Sequence, residues 1–220
     1  MFAFLKVKSV PSLFWSAPHP LTMRPSMISL IMLMFGLTLF GLGEALLIAS
    51  GSGVSPWTVL AQGITNITNW SIGFSTFVVS VSVLITWFPL RQIPGIGTIL
   101  NILIIALVID LSLPYLPQFE TLSLQIIEAL AGVIITGIGG GIYLIAKLGA
   151  GPRDGLMTGL QRVTNLPIAT VRSGIEMTVV ILGWMLGGVA GIGTVLFALG
   201  IGPSVAASIY VLQMSFNRKE

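Results

Sequence analysis

Leu148-Gly149-Ala150-Gly151-Pro152-Arg153-Asp154-Gly155 carries two opposite charges and three glycines inside a very apolar chain. Upstream lies Ser52-Gly53-Val54-Ser55-Pro56-Trp57-Thr58-Val59. The two stretches align without a gap, Ser52 falling on Leu148, at an offset of 96 residues. The match extends on both sides. Gly41 and Gly43 fall on Gly137 and Gly139, and Leu60 and Gly63 on Leu156 and Gly159. Thr68-Asn69 falls on Thr164-Asn165, and Gly95-Ile96-Gly97-Thr98 on Gly191-Ile192-Gly193-Thr194. One constant offset at so many positions is an internal duplication. The rest of the chain is arranged around the two Gly/Pro breaks.

The chain has 220 residues, of which 55% are hydrophobic and 8% charged. A soluble domain carries about 25% charged residues. So apolar a chain cannot cover a water-facing surface and belongs in a lipid bilayer. Its net charge of +3 comes from few, scattered basic residues, which argues against nucleic acid. The absence of Cys removes disulfides, thiol catalysis and Cys metal sites. The one histidine, His19, lies outside every apolar span, so a His-built metal site is not expected. No Ser, His and acid constellation and no carboxylate cluster is present, so the chain is not expected to be an enzyme or to hold a cofactor or metal. Gly149-x-Gly151 with Gly155 loosely echoes a dinucleotide loop, but the spacing is wrong and no strand precedes it.

Spanning helices need roughly 20 apolar residues. Six stretches meet that: 28–50, 71–90, 95–114, 124–147, 168–188 and 190–213. Two shorter helices are expected at 55–68 and 151–164, each opening on Pro56 or Pro152 at the first helical position. Asp154 then falls in a first turn, where the helix dipole favours an anion. Tight hairpins are expected around Arg91-Gln92 and Gly187-Gly188. Residues 1–27 read as a cytoplasmic or interfacial arm, because Pro11, Pro18 and Pro20 break its apolar run.

With a cytoplasmic N-terminus, all ten Lys and Arg fall on the inner side or just inside it, and the outer connections hold none. Each repeat then holds three spans, 28–117 and 118–214, followed by a cytoplasmic tail at 215–220. An odd number of spans makes the second repeat enter the membrane from the opposite side. The expected fold is all-α: a polytopic membrane protein with six transmembrane helices as an inverted 3+3 repeat and two short half-helices. The expected place is the bacterial cytoplasmic (inner) membrane, multi-pass, with both termini inside.

Gly149-Ala150-Gly151-Pro152-Arg153-Asp154-Gly155-Leu156-Met157, with Pro56-Trp57 and Pro94-Gly95-Ile96-Gly97-Thr98, resembles the YczE group of bacterial integral membrane proteins, a relative of the YitT family. The resemblance covers nearly all of the chain after residue 28. It implies a bacterial cytoplasmic-membrane protein of several helices. It implies no activity and no site residues, the group being functionally uncharacterised.

The candidate solute or gating residues are Glu44, Pro56, Trp57, Gly151, Pro152, Arg153, Asp154, Arg172 and Glu176. Arg153-Asp154 is either a polar gate or a structural pair in which Arg153 reaches lipid headgroups. Glu44, Glu128 and Glu176 lie within spans, where carboxylates are costly and mark function by default. Glu176 has Arg172 one turn back on the same face. Glu44 has no partner nearby in sequence, and Glu128 and Asp110 read as interfacial. Gly53 and Gly151 are expected to allow backbone turns that a side chain would strain, by positive φ or by close approach, so that Gly151→Val reduces folded protein and Gly188→Ala is milder. Gly137-xxx-Gly141, Gly183-xxx-Gly187 and Gly187-xxx-Gly191 suit close helix packing, with a homo-oligomer through such faces as the same chemistry between chains. Trp70, Trp87 and Trp184 fit an aromatic belt.

The leading expectation is a permease-like protein moving a small solute between the inverted repeats. Half-helix N-termini and Arg153 favour a carboxylate-bearing solute, and Glu44 is placed to carry a coupling proton or bind a cationic group. The alternative is a non-transporting accessory or scaffold acting through helix contacts, with a lipid-handling protein third.

Overall fold

The structure, a computed structural model, describes residues 10–216. The described residues form eight α-helices and no strand: α1 (Met27–Ala49), α2 (Pro56–Thr68), α3 (Ile72–Ile85), α4 (Ile96–Ser112), α5 (Leu122–Ala146), α6 (Pro152–Thr164), α7 (Ile168–Met185) and α8 (Ile192–Phe216). A single 3-10 turn, Leu113–Tyr115, follows α4. The chain is a polytopic, all-helical membrane protein. Five helices are long and apolar enough to cross a bilayer: α1, α4 with its 3-10 turn, α5, α7 and α8.

The duplication is visible in the helix starts. Pro56 and Pro152, Ile72 and Ile168, and Ile96 and Ile192 all keep the offset of 96. Local chemistry sets these starts. Ser55 and Gly151 are extended (φ −60° and −61°), and the proline that follows has no N–H to leave unsatisfied. Both half-helices stop at an asparagine in the left-handed region, Asn69 at φ 58° and Asn165 at φ 56°.

The loops before the half-helices are pinned reciprocally. The Gly97 N–H of α4 donates to the Leu148 carbonyl at 2.7 Å, and the Gly193 N–H of α8 donates to Ser52 at 2.9 Å. Gly53 and Gly149 carry φ of +121° and +122°, which a side chain rarely adopts. A Cβ on Gly53 would lie 2.6 Å from the Gly191 nitrogen. These two glycines, not Gly151, turn the backbone; Gly151 aligns with Ser55 and has an ordinary φ.

At the centre α1 and α5 run antiparallel in backbone contact. A Cβ on Gly36 would lie 2.7 Å from the Tyr143 nitrogen, and one on Gly43 would lie 2.5 Å from that of Thr136. Small residues permit that approach. On the flanks α4 packs on α1 and α8 on α5. Gly137 and Gly141 face Ser204 and Ser208 of α8, so this glycine face is used within the chain.

The two halves differ in how their last two helices pack. α3 packs on α4, whereas α7 shares no comparable surface with α8. Asp110 of α4 explains the first contact: it accepts from the Gly73 N–H at 2.7 Å and the Ser71 hydroxyl at 2.5 Å, clasping the start of α3. Asp110 therefore caps the start of α3. In the second half the corresponding residues are Ala206, Ala169 and Pro167, which cannot form the clasp. The expected hairpin at Gly187-Gly188 is therefore not a packed pair. Its glycines turn toward α2 instead, and a Cβ on Gly183 or Gly188 would overlap the backbone at Val59-Leu60. Gly188 is thus the opposite of a tolerant position, and Gly187, at φ 89°, is a turn residue.

The second expected span is short. α3 has 14 residues, about 21 Å of helix at 1.5 Å each, and hydrogen-bonded turns continue it to Arg91. Pro89 has no N–H and disfavours a helical Phe88, which ends the regular helix. The described part of the N-terminal arm packs on the bundle. Leu13, Trp15 and Ala17 are buried against the ends of α5 and α8, and the Ala17 N–H donates to Ala146 at 2.9 Å.

Candidate functional site

Glu44 is fully buried on α1. Its Oε2 accepts from the Ser55 and Thr58 hydroxyls, each at 2.8 Å. Those residues are the N-cap and third residue of α2, so the carboxylate sits at the positive end of that half-helix. Its Oε1 has no hydrogen-bond partner. Arg153 Nη1 lies 4.0 Å from that oxygen, and the guanidinium lies 5.4 Å from the centre of the Trp57 ring. The break in the second repeat thus reaches the break in the first. Glu44 has a tertiary partner invisible along the chain, and Arg153 points inward, not to headgroups.

Asp154 is the third residue of α6, the repeat counterpart of Thr58. Its Oδ2 accepts from the Tyr143 hydroxyl at 2.7 Å. Each half-helix N-terminus therefore already carries a carboxylate, which removes much of the positive potential that a bare terminus would offer an anion. Trp87 buttresses α6 from behind: its indole N–H donates to the Pro152 carbonyl at 2.9 Å, and its ring covers Gly155. Trp87 is buried, so only the exposed Trp70 and Trp184 fit a lipid-facing belt.

Arg172 Nε donates to Glu176 Oε1 at 2.8 Å on α7. The repeat counterparts of that pair, Thr76 and Ser80 on α3, lie across from it. Together these groups line one cavity of about 240 Å³, walled also by Asn101, Phe40, Phe197 and Ile201. The cavity draws on both halves and on both breaks. The cavity borders α7 and α8, and Gly202 on its wall has open space in front of it.

Of the residues singled out from sequence, Trp57, Gly151, Pro152, Arg153, Asp154, Arg172 and Glu176 line this cavity. Glu44 stands behind Arg153, and Pro56 positions α2. Glu128 lies apart; it is buried within the protein, and neither of its oxygens has a partner among the described residues. Tyr143, Asn101, Thr76 and Ser80 escaped the sequence reading. The offset offered one signal, since Thr76 and Ser80 are the repeat positions of Arg172 and Glu176.

Residues 27–209 match a family described as "Family of unknown function (DUF6198)". The chain belongs to the DUF6198 family. It is 44% identical over 200 residues to an uncharacterized protein of Haemophilus influenzae, covering 91% of each chain. It is 35% identical over 199 residues to the uncharacterized membrane protein YczE of Bacillus subtilis, covering 86% of this chain and 88% of that one. No solved structure matches. The DUF6198 region contains every cavity residue and leaves out residues 1–26.

Proposed function

We propose that this DUF6198 protein is a permease-like protein that binds a small solute between two inverted repeats. The carrying observation is the cavity of about 240 Å³ in which both helix breaks meet, with Arg153, Asp154, Arg172 and Glu176 on its wall. Charged groups inside an apolar bundle are costly and mark solute or ion paths. A volume below the roughly 300–1,000 Å³ of drug-sized sites suits a small metabolite.

The inverted arrangement is supported by the exchanged contacts. Gly97 binds Leu148 as Gly193 binds Ser52, so the operation carrying the first half onto the second also carries the second onto the first. That is the property of a two-fold axis. On this reading the contact register of α1 and α5 sets the axis near Gly41-Leu42 and Gly137-Ile138. Glu44 then lies two to three residues, about 4 Å, from it. In a bilayer with the axis in the membrane plane, that is mid-depth. Six crossings follow when α3 and its turns to Arg91 make the second, with repeats at 28–117 and 118–214 and both termini in the cytoplasm of an inner-membrane protein.

Two experiments test this. Reporter fusions after residues 60 and 118 are expected outside, and those after 92 and 160 inside; an inside signal at 118 removes the inverted repeat. Thermal-shift screening of purified protein against small metabolites, followed by counterflow in proteoliposomes, tests transport. A hit that binds but never exchanges across the bilayer moves the function to the accessory or scaffold alternative.

A further inference from the structure

The cavity's unspent hydrogen-bonding groups have a definite chemistry. Arg153 offers five N–H donors, and none makes a hydrogen bond within the described residues; its contacts are the Trp57 face and the distant Glu44 oxygen. The Trp57 face and the distant Glu44 oxygen hold the planar group, and Arg153 lines the cavity with its donors unspent. The complement of such a fork is a carboxylate, held by two parallel bonds. Acceptors are left over too. Asp154 spends only Oδ2, on Tyr143, and Glu176 spends only Oε1, on Arg172. Neither Asp154 Oδ1 nor Glu176 Oε2 has a donor among the described residues.

Charge decides what fills this arrangement. Arg153 and Arg172 stand against Glu44, Asp154 and Glu176, leaving an excess of one negative charge. A simple anion deepens that excess, and a simple cation leaves the Arg153 fork unused. A molecule with a carboxylate and an ammonium group uses both without changing the net charge. Of the remaining wall, Phe40, Phe197 and Ile201 are apolar and offer a face to the rest of such a molecule, beside the polar Asn101, Thr76 and Ser80.

We infer that the cavity binds a small zwitterion, its carboxylate on Arg153, its ammonium between Asp154 and Glu176, and a short apolar group against Phe197 and Ile201. This rests on the solute-binding function proposed above and names its substrate class.

The test uses purified full-length protein in nanodiscs of phosphatidylcholine, read by thermal shift and calorimetry. The probes are valine, its carboxylate-only analogue isovalerate, its ammonium-only analogue isobutylamine, and uncharged glycerol and ribose. Valine is expected to raise Tm in a saturable way, with each single-charge analogue about tenfold weaker or more, as expected for losing one charge-assisted contact. Arg153→Lys keeps the charge but not the fork and is expected to weaken valine about tenfold. Should that variant misfold, Glu176→Gln provides a second test: it is expected to weaken valine and leave isovalerate unchanged. Addition of phosphatidylserine, whose headgroup carries the same pair, separates a lipid source from a free one; competition with valine assigns the headgroup to this cavity. Isovalerate, isobutylamine or an uncharged probe binding as tightly as valine overturns the zwitterion and leaves solute binding standing. No response to valine by folded protein overturns the zwitterion, and the metabolite screen then decides solute binding by itself.

Discussion

Gly53→Ala should be among the most damaging single-methyl additions in the chain. Gly53 has φ +121°, and forcing an L side chain into such a region costs about 1–3 kcal/mol. The new Cβ would lie 2.6 Å from the nitrogen and 2.9 Å from the Cα of Gly191, which are backbone atoms that cannot rotate away. Relief requires the start of α8 to move, stretching the 2.9 Å bond from Gly193 to Ser52, worth about 1 kcal/mol. The sum, about 2–4 kcal/mol, corresponds to a Tm loss of about 5–15 °C for a chain of this size. Gly149→Ala has the same φ penalty but meets the Thr98 hydroxyl at 2.9 Å and Gly95 Cα at 3.0 Å, so its loss should be somewhat smaller. The control is Gly174→Ala, a helical glycine whose Cβ meets nothing within 4 Å; it should gain about 0.5–1 kcal/mol from helix propensity. Gly202 has equal room but precedes Pro203, where a Cβ crowds the proline ring, and is a poorer control. Tm of fluorescently tagged protein by size-exclusion chromatography measures all three. Equal shifts for Gly53→Ala, Gly149→Ala and Gly174→Ala would refute the pinned-loop geometry.

Asp110→Ala should release the start of α3 and cost about 2–3 kcal/mol, since two charge-assisted bonds are lost; a Tm within 1–2 °C of wild type, below about 1 kcal/mol, would remove the clasp as the cause of the α3–α4 contact. Gly155→Ala should destabilise by driving a methyl into the Trp87 ring, and Trp87→Leu should make the same alanine harmless; additive effects in the double-mutant cycle would contradict that contact. Glu44→Gln should cost about 2–3 kcal/mol by leaving Arg153 without its buried counter-charge, and Arg153→Gln in the same chain should recover part of the loss; a double variant as weak as the two losses combined would show that the groups act independently.

Much of this architecture is legible residue by residue. The offset of 96 names the duplication, and Pro56 and Pro152 mark where the half-helices begin, because a proline after an extended residue is a strong local helix start. Asn69 and Asn165 end those helices by the same kind of local chemistry. The ion pair of Arg172 and Glu176 also follows from one helical turn. These features depend on neighbours within four residues, so the chain alone determines them.

The partners of Glu44 and Asp154 are a different matter. α1 and α5 are apolar on nearly every side, so their sequences do not say which face meets which helix. Only the tertiary register puts Glu44 beside Arg153 and Tyr143 beside Asp154, and only packing buries Trp87 over Gly155 and Trp15 under α8. The gap at α7 likewise turns on a clasp between Asp110 and α3 whose absence at Pro167, Ala169 and Ala206 means nothing until α4 is seen to hold α3. The sequence by itself determined a duplicated membrane chain with two breaks. The tertiary structure alone decided that the breaks meet, because a contact between distant helices is fixed by their rotation and register, which no local signal records.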